Sequence, residues 1–305
     1  MAKPASEVSV YNLLTFDIEE WFHANYEHIN PADYRGKGSN FRAQVDMLLQ
    51  LCSDAGCNAT FFVLGSIGED YPDVVRKIVQ AGHEVAAHGY GHHLAYKQTF
   101  QAFKADVQKA VAILEDITGT KVLGYRAPSW SIVESNLHYL EALEELGLMY
   151  DASIFPVKTF LYGIPSAPTD IHKPRVNGRE LGIWEVPTSV VSLFGRNIGY
   201  SGGFYFRFFP AFLIKKAIRA ANRKGRSVVV YLHPRELDCT ERRLILPCKE
   251  AFIHYYNIRG TKAKLEDIMM SFSFTSIATQ LERLATTAQT ADRQESLVAT
   301  KPSQF

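Results

Sequence analysis

The sequence predicts an α/β protein whose parallel strands alternate with crossover helices. Short apolar segments are each followed by a segment with helical periodicity. Pro72 marks the start of one helix, and Gly56 and Gly82 come just after the ends of two others. Because strand then helix recurs along the chain, the fold is either an α/β barrel or an open doubly wound sheet.

The elements follow from these patterns in chain order. Strands are predicted over residues 8–17, 58–65, 83–88, 121–128, 148–155 and 226–234. Helices are predicted over residues 41–56, 72–82, 103–119, 136–147 and 212–225. Residues 158–189 are rich in Pro and Gly and are predicted as a loop-rich insertion. The polar ends, 1–7 and 286–305, are predicted to be disordered.

Charge and hydropathy exclude two kinds of partner. The chain has 33 Lys and Arg against 32 Asp and Glu, so no net basic field favours nucleic acid. No apolar run is long enough for a transmembrane helix, and the N-terminus lacks the pattern of a signal peptide. We therefore expect a cytoplasmic location. An enzyme of exported glycans would then act on precursors at the inner membrane surface, or be exported by an unusual route.

Charged and titratable side chains end five of the predicted strands. They are Asp17, His88, Arg126, Asp151 and His233. In a parallel α/β fold the carboxyl ends of the strands lie on one face, where active sites of such folds are assembled. The sequence therefore predicts that these side chains converge.

Two imidazoles and an acid in this set suggest a metal site. His88 and His92 lie four residues apart in the segment HGYGHH, so both can reach one ion from a compact loop. A catalytic zinc takes three protein ligands of this His/His/carboxylate kind. A divalent ion also explains why Asp17 and Glu19 lie so close together, since one can bind metal while the other accepts protons.

The choice between the two acids depends on strand geometry. Successive side chains of a strand face opposite ways, so Asp17 and Glu19 share a face and Glu20 points elsewhere. We favour Glu19 as the metal ligand, with Asp17 as the alternative.

Together these motifs resemble the polysaccharide deacetylase family, carbohydrate esterase family 4. The resemblance rests on TFDIEEW, HGYGHH, YRAPSW, YDAS and YLHP, which occur in the family's order between residues 13 and 234. Ile18 separates the two acids that are adjacent in the common family pattern. SGGFYFRFFP and the C-terminal segment look like a subgroup associated with exopolysaccharide gene clusters.

The resemblance implies a fold and a division of the chain. It implies a deformed (β/α) barrel with fewer than eight strand-helix units. That barrel would cover residues 8–236, and a C-terminal extension over 237–280 would pack on it.

The resemblance also implies residue roles and a cofactor. Glu19, His88 and His92 would bind one divalent ion, most simply Zn²⁺. Asp17 would be the general base. Arg126 would hold Asp17 ionised. His233 would protonate the departing amine, and Asp151 would orient His233. Trp130 would line a sugar groove.

Three functions follow for comparison. The leading one is metal-dependent removal of N-acetyl groups from amino sugars of a bacterial polysaccharide or its precursor. A metal-independent hydrolase of cyclic amides or formamides is the second, against which the intact His88 and His92 speak. A catalytically inactive carbohydrate-binding barrel is the third, and the presence of Asp17, Arg126 and His233 argues against it. The oligomeric state does not follow from the sequence.

Overall fold

A curled parallel sheet forms the centre of the protein. The computed structural model describes residues 10–159 and 162–287. Its strands are β1 (Asn12–Ile18), β2 (Thr60–Val63), β3 (Glu84–Ala87), β4 (Gly124–Tyr125), β5 (Tyr150–Asp151), β6 (Arg175–Val176), β7 (Arg179–Glu180), β8 (Trp184–Glu185), β9 (Val190–Leu193), β10 (Arg196–Gly199), β11 (Val229–Leu232) and β12 (Phe274–Thr275).

The helices follow the strands as the sequence pattern indicates. They are α1 (Phe41–Ala55), α2 (Gly65–Asp70), α3 (Pro72–Gln80), α4 (Phe100–Thr118), α5 (Leu140–Glu145), α6 (Gly203–Phe208), α7 (Ala211–Asn222), α8 (Cys248–Tyr255) and α9 (Thr261–Met269). Residues 277–287 are also helical. In this described part of the chain, no helix combines the length and the apolar character needed to cross a membrane.

The sheet topology confirms the predicted fold class. The strand order is β11-β1-β2-β3-β4-β5-β8, all neighbours are parallel, and β12 also pairs with β1. Among the described residues, no pairing joins the outer strands β8 and β11, so the barrel remains open on one side. The fold is therefore a deformed (β/α) barrel with fewer than eight strand-helix units.

Alternation along β1 divides its side chains between two cores. Leu14, Phe16 and Ile18 belong to the large core between the sheet and its helices. Leu13 belongs to a second, smaller core that Phe62 of β2 and Val229 of β11 share. Because side chains alternate in a strand, Asp17 lies on the same face as Leu13. The sheet thus directs Asp17 into the barrel.

The C-terminal segment is part of the sheet and not only packed upon it. Strand β12 pairs with the start of β1, where Asn12 lies opposite Phe274. The chain then enters the helix at 277–287, and Ile277 and Leu281 join the smaller core. The backbone N–H of Ile277 donates to the Thr60 hydroxyl at 2.9 Å. This segment therefore fills the end of the barrel opposite the carboxyl ends of the strands.

The termini differ in part from the prediction of disorder. Residues 1–7 and 288–305 of the two predicted disordered segments lie outside the described residues. Thr286 and Thr287, predicted as part of the tail, are instead helical. Their hydroxyl groups donate to the carbonyls of Glu282 and Arg283, four residues earlier, which is a pattern that a helix provides.

Candidate active site

A small cavity lies at the carboxyl ends of the central strands. Its volume is about 190 Å³. The carboxylates and imidazoles that line it come from segments far apart in sequence: Asp17, Glu19, His23, His88, His92, His233, Glu236 and His254. Of the five predicted strand-end residues, Asp17, His88 and His233 line this cavity, Arg126 contacts it through Asp17, and Asp151 does not line it.

Glu19, His88 and His92 form a buried cluster. Each side chain offers one atom that could bind a metal, and these three atoms lie within 4.8 Å of one another. Oε2 of Glu19 lies 2.7 Å from Nε2 of His92 and 4.0 Å from Nε2 of His88. Although these contacts are short, that oxygen accepts no hydrogen bond of regular geometry from the described residues. A carboxylate and two imidazole nitrogens in this arrangement fit one divalent cation.

The protonation states favour metal binding. Nδ1 of His88 lies 2.8 Å from the carbonyl oxygen of Arg126, so Nδ1 carries the hydrogen and Nε2 keeps its lone pair. Burial lowers the pKa of His88 to about 4. Burial by itself would raise the pKa of Glu19, but the imidazoles of His92 and His233 outweigh it and lower this pKa below its ordinary value. A neutral imidazole and an ionised carboxylate are the ligand forms that metals require.

The loop that carries the two histidines is fixed by helix α4. Gly89 has a φ of 78°, and a Cβ there would lie 2.8 Å from Oδ2 of Asp106. That same carboxylate oxygen accepts a hydrogen bond from the backbone N–H of Tyr90 at 2.8 Å. His92 itself has a φ of 58°. The loop is therefore a compact turn and not a helix, and this turn directs His88 and His92 to one point.

Asp17 is held by the buried Arg126. The Nη1 group of Arg126 donates to Oδ1 of Asp17 at 2.7 Å and to the Thr15 hydroxyl at 3.0 Å. Its Nε–H donates to the carbonyl of Ala152 at 3.2 Å, and the guanidinium lies 4.1 Å from the centre of the Phe62 ring. The other carboxylate oxygen of Asp17 lies 3.9 Å from Nε2 of His233. One oxygen is thus held in place and the other faces the cavity.

A second carboxylate orients His233. Nδ1 of His233 lies 2.7 Å from Oε2 of Glu236, and Nε2 lies 3.6 Å from Oε1 of Glu19. Burial alone would lower the pKa of His233, but the charges of Glu19 and Glu236 outweigh it and raise this pKa. Glu236 in turn accepts a hydrogen bond from Nε of Arg207 at 2.7 Å. Arg207 thereby fixes the group that orients His233.

The prediction that Asp151 orients His233 is wrong. Both ring nitrogens of His233 face other carboxylates, as described above. Asp151 accepts hydrogen bonds from the Ser153 hydroxyl at 2.6 Å and from the Ser153 backbone N–H at 3.0 Å. It pairs in register with Glu185 of the neighbouring strand, and both side chains are fully buried. The sequence motif placed Asp151 at the right edge of the sheet, but its side chain bonds locally.

Aromatic side chains form one wall of the cavity. Trp130 lies on this wall with its ring centre 4.4 Å from that of Tyr231 and 5.8 Å from that of Tyr162. The indole N–H of Trp130 has no hydrogen-bond partner among the described residues. Trp21 packs in a separate cluster, and Lys173 lies over the ring of Trp184. Of the three tryptophans, only Trp130 lines this cavity.

Several residues of the site were not predicted from the sequence. His23 lies beside His92 with ring centres 5.6 Å apart, and burial lowers its pKa to about 3. Glu236, Arg207 and His254 complete the set. Of these, only Glu236 left a signal in the sequence. In HPRE it follows the strand-end His233 by three residues, so its carboxylate can turn back to the imidazole. The others reach the cavity through the tertiary fold.

The fold and the site together define a class: a deformed (β/α) barrel with a His/His/Glu cluster at the carboxyl ends of its strands. Residues 13–150 match the family model "Polysaccharide deacetylase", and residues 152–282 match "Domain of unknown function (DUF3473)". Residues 13–150 therefore form a domain of the polysaccharide deacetylase family, as the motifs predicted.

Individual relatives agree with this assignment. The chain is 30% identical over 156 residues to a peptidoglycan deacetylase of Helicobacter pylori, a match that covers 48% of this chain and 52% of the relative. It is 29% identical over 161 residues to the peptidoglycan deacetylase-like protein FGM2 of Gibberella zeae, covering 48% of this chain and 47% of the relative. The chain thus spans about half the length of these curated relatives.

A solved structure matches almost the whole chain. A crystal structure from Mycobacterium smegmatis, assigned to the polysaccharide deacetylases, is similar with a TM-score of 0.61 at 18% identity. The match covers 94% of this chain and 95% of that one. At this identity the likeness concerns the fold, and it extends through the region after residue 150.

Proposed function

We propose that this protein is a metal-dependent hydrolase that removes N-acetyl groups from the amino sugars of a bacterial polysaccharide or of its precursor. One observation carries the proposal. The cluster of Glu19, His88 and His92 opens on the same small cavity as Asp17 and His233. The relatives described as peptidoglycan deacetylases support the choice of an N-acetylated sugar as substrate.

The cluster would hold the metal, which we propose is Zn²⁺. Its two imidazoles and one carboxylate are a ligand set used by catalytic zinc. When bound, such an ion supplies Lewis-acid activation of water and of the acetyl carbonyl. Ligation by Glu19 leaves the carboxylate of Asp17 to accept protons, which explains why two acids lie so close together in the barrel.

Asp17 would act as the general base. Arg126 holds one of its oxygens through a charge-assisted hydrogen bond inside the barrel. The other oxygen would take the proton of the water that attacks the acetyl carbonyl. This division of tasks within one carboxylate gives the base a fixed position relative to the substrate.

His233 would act as the general acid. Its raised pKa favours the protonated imidazole, and its Nε2 is the nitrogen that faces the cavity. Glu236 fixes the ring through Nδ1. From this position Nε2–H would protonate the departing amine as the carbon–nitrogen bond breaks, so that acetate and a free amino sugar leave the site.

The test is acetate release before and after chelation. The substrate is a set of N-acetylglucosamine oligomers, and the metal content of the purified protein is measured in parallel. We expect bound metal together with acetate release that a chelator stops and added Zn²⁺ restores. Metal-free turnover of a formamide or a cyclic amide would favour the second function named above. Sugar binding without any turnover would favour the inactive barrel, and either result would overturn the proposal.

A further inference from the structure

A second cavity adjoins the candidate active site. Its volume is about 260 Å³, and it shares Arg235 and His254 with the first cavity as lining residues. Trp21 and Tyr255 contribute aromatic surface to it. The two cavities therefore lie next to each other, with Arg235 and His254 lining both.

Four arginines surround this second cavity: Arg235, Arg242, Arg243 and Arg259. Within residues 10–159 and 162–287, no carboxylate lies at salt-bridge distance from any of these guanidinium groups. These four guanidinium groups also outnumber the two carboxylates, Asp238 and Glu241, that line the cavity.

The two acids of the cavity are already engaged elsewhere. Oε2 of Glu241 accepts hydrogen bonds from the Asn40 backbone N–H at 3.0 Å and from the Gln44 amide at 2.8 Å. Asp238 accepts from the amides of Asn40 and Gln44 and from Thr240. They tie the loop after β11 to the start of α1. The arginines remain available to a ligand.

A neutral histidine accepts a hydrogen bond from Arg235 and so fixes the position of its guanidinium group. Nη1 of Arg235 lies 3.1 Å from Nε2 of His254. Burial and the charges of Arg235 and Arg207 lower the pKa of His254 to about 2, so the ring is neutral and accepts this hydrogen bond. The buried Nε–H of Arg235 has no partner among the described residues. A buried, unsatisfied guanidinium donor is costly unless a ligand or water completes it.

We propose that this second cavity binds an anionic group carried by the substrate next to the sugar that is deacetylated. Guanidinium groups bind carboxylates and phosphates with charge-assisted hydrogen bonds, and Trp21 and Tyr255 offer flat faces to a sugar ring. The inference rests on the proposed function for the order of the two sites. It adds that the natural substrate is an acidic glycan or a diphosphate-linked sugar and not a neutral one.

The test compares three probes by isothermal titration calorimetry on metal-depleted protein, so that binding is measured without turnover. The hyaluronan hexasaccharide carries carboxylates beside N-acetylglucosamine, UDP-N-acetylglucosamine carries a diphosphate, and chitohexaose is neutral. We expect one of the two anionic probes to bind about 10-fold more tightly than chitohexaose at low salt. Which of the two is preferred identifies the source of the charge. Moderate salt should weaken this preference.

Two double variants decide whether the arginines are responsible. Arg242→Gln with Arg259→Gln should abolish the preference for the anionic probe and leave chitohexaose binding unchanged. Arg76→Gln with Arg196→Gln, which removes two exposed arginines elsewhere, should change neither. Equal binding of all probes, or an anion preference that survives in the first variant, would overturn the inference. Because no turnover is required, this outcome is distinct from a failure to release acetate.

Discussion

Nδ1 of His233 lies 2.7 Å from Oε2 of Glu236, three residues later in the chain. Arg207 donates a hydrogen bond to the same carboxylate. Its other nitrogens donate to the backbone carbonyls of Tyr256 and Ile253. The residues after the sheet strand β11 and those of the C-terminal region thus fix the orientation of one imidazole in the cavity.

Replacing Glu236 tests this orientation. Glu236→Gln keeps an acceptor for Arg207 but removes the negative charge beside His233. We expect kcat for acetate release to fall about 10- to 100-fold while the fold persists, by analogy with carboxylates that orient metal-binding histidines. Because Glu236 helps to raise the pKa of His233, the alkaline limb of the kcat profile should move to lower pH. An unchanged pH profile would limit Glu236 to a structural role.

Metal content separates the roles of two acids and a histidine. His88→Ala should lose both bound metal and activity, because one of three ligands is removed. Asp17→Asn should lose activity and keep the metal, since Glu19 is the carboxylate in the cluster. The measurement is metal content by mass spectrometry after gel filtration. Equal loss of metal in both variants would contradict the assignment of Glu19 as the ligand.

Trp130 is expected to affect substrate binding more than chemistry. Trp130→Phe retains an aromatic ring against Tyr231 but shortens the wall of the cavity and removes the unpartnered indole N–H. We expect KM for N-acetylglucosamine oligomers to rise about 3- to 10-fold with kcat nearly unchanged. Trp184→Phe is the matched control, because Trp184 does not line the cavity. A drop in kcat with constant KM would assign Trp130 to the reaction itself.

Asp151 and Glu185 give a prediction for stability. No donor of the described residues reaches Oε2 of Glu185, so we expect a proton shared with the carboxyl group of Asp151 to be its partner. Burial and the charge of Asp151 raise the pKa of Glu185 well above its ordinary value near 4.5. Burial raises the pKa of Asp151 as well.

The sign of the pH dependence follows from proton binding. Above pH 4.5 the unfolded chain releases this proton, whereas the folded protein holds it until its higher pKa is reached. The folded state binds more protons in that window, so the free energy of unfolding decreases as pH rises. Glu185→Gln carries a permanent amide donor and should remove this decline. Urea denaturation between about pH 5 and 8 measures it, and parallel curves for both proteins would refute the shared proton.

Much of the site could be predicted because parallel topology constrains it. Once Asp17, His88, Arg126 and His233 are recognised as strand-end residues, the sheet must bring their backbones to one edge. Glu20 lies just beyond the end of β1, and its side chain is separated from that of Glu19. Its carboxylate accepts a hydrogen bond from the Tyr71 hydroxyl at 2.6 Å, outside the barrel.

What could not be predicted depends on side-chain direction and on distant segments. Asp151 reaches the correct edge, but two hydrogen bonds from Ser153 and the proximity of Glu185 turn it away from His233. Arg207 acts on the site only because α6 packs beside the short helical turn that carries Glu236. No local pattern records such a contact.

The pairing of β12 with β1 has a consequence for folding during synthesis on the ribosome. The first strand of the sheet cannot complete its partners until residues 274–275 have been synthesised, because Asn12 pairs with Phe274. Contacts of such high sequence separation close late and slow folding. Nascent chains that end before Phe274 should therefore remain exposed to chaperones and proteases.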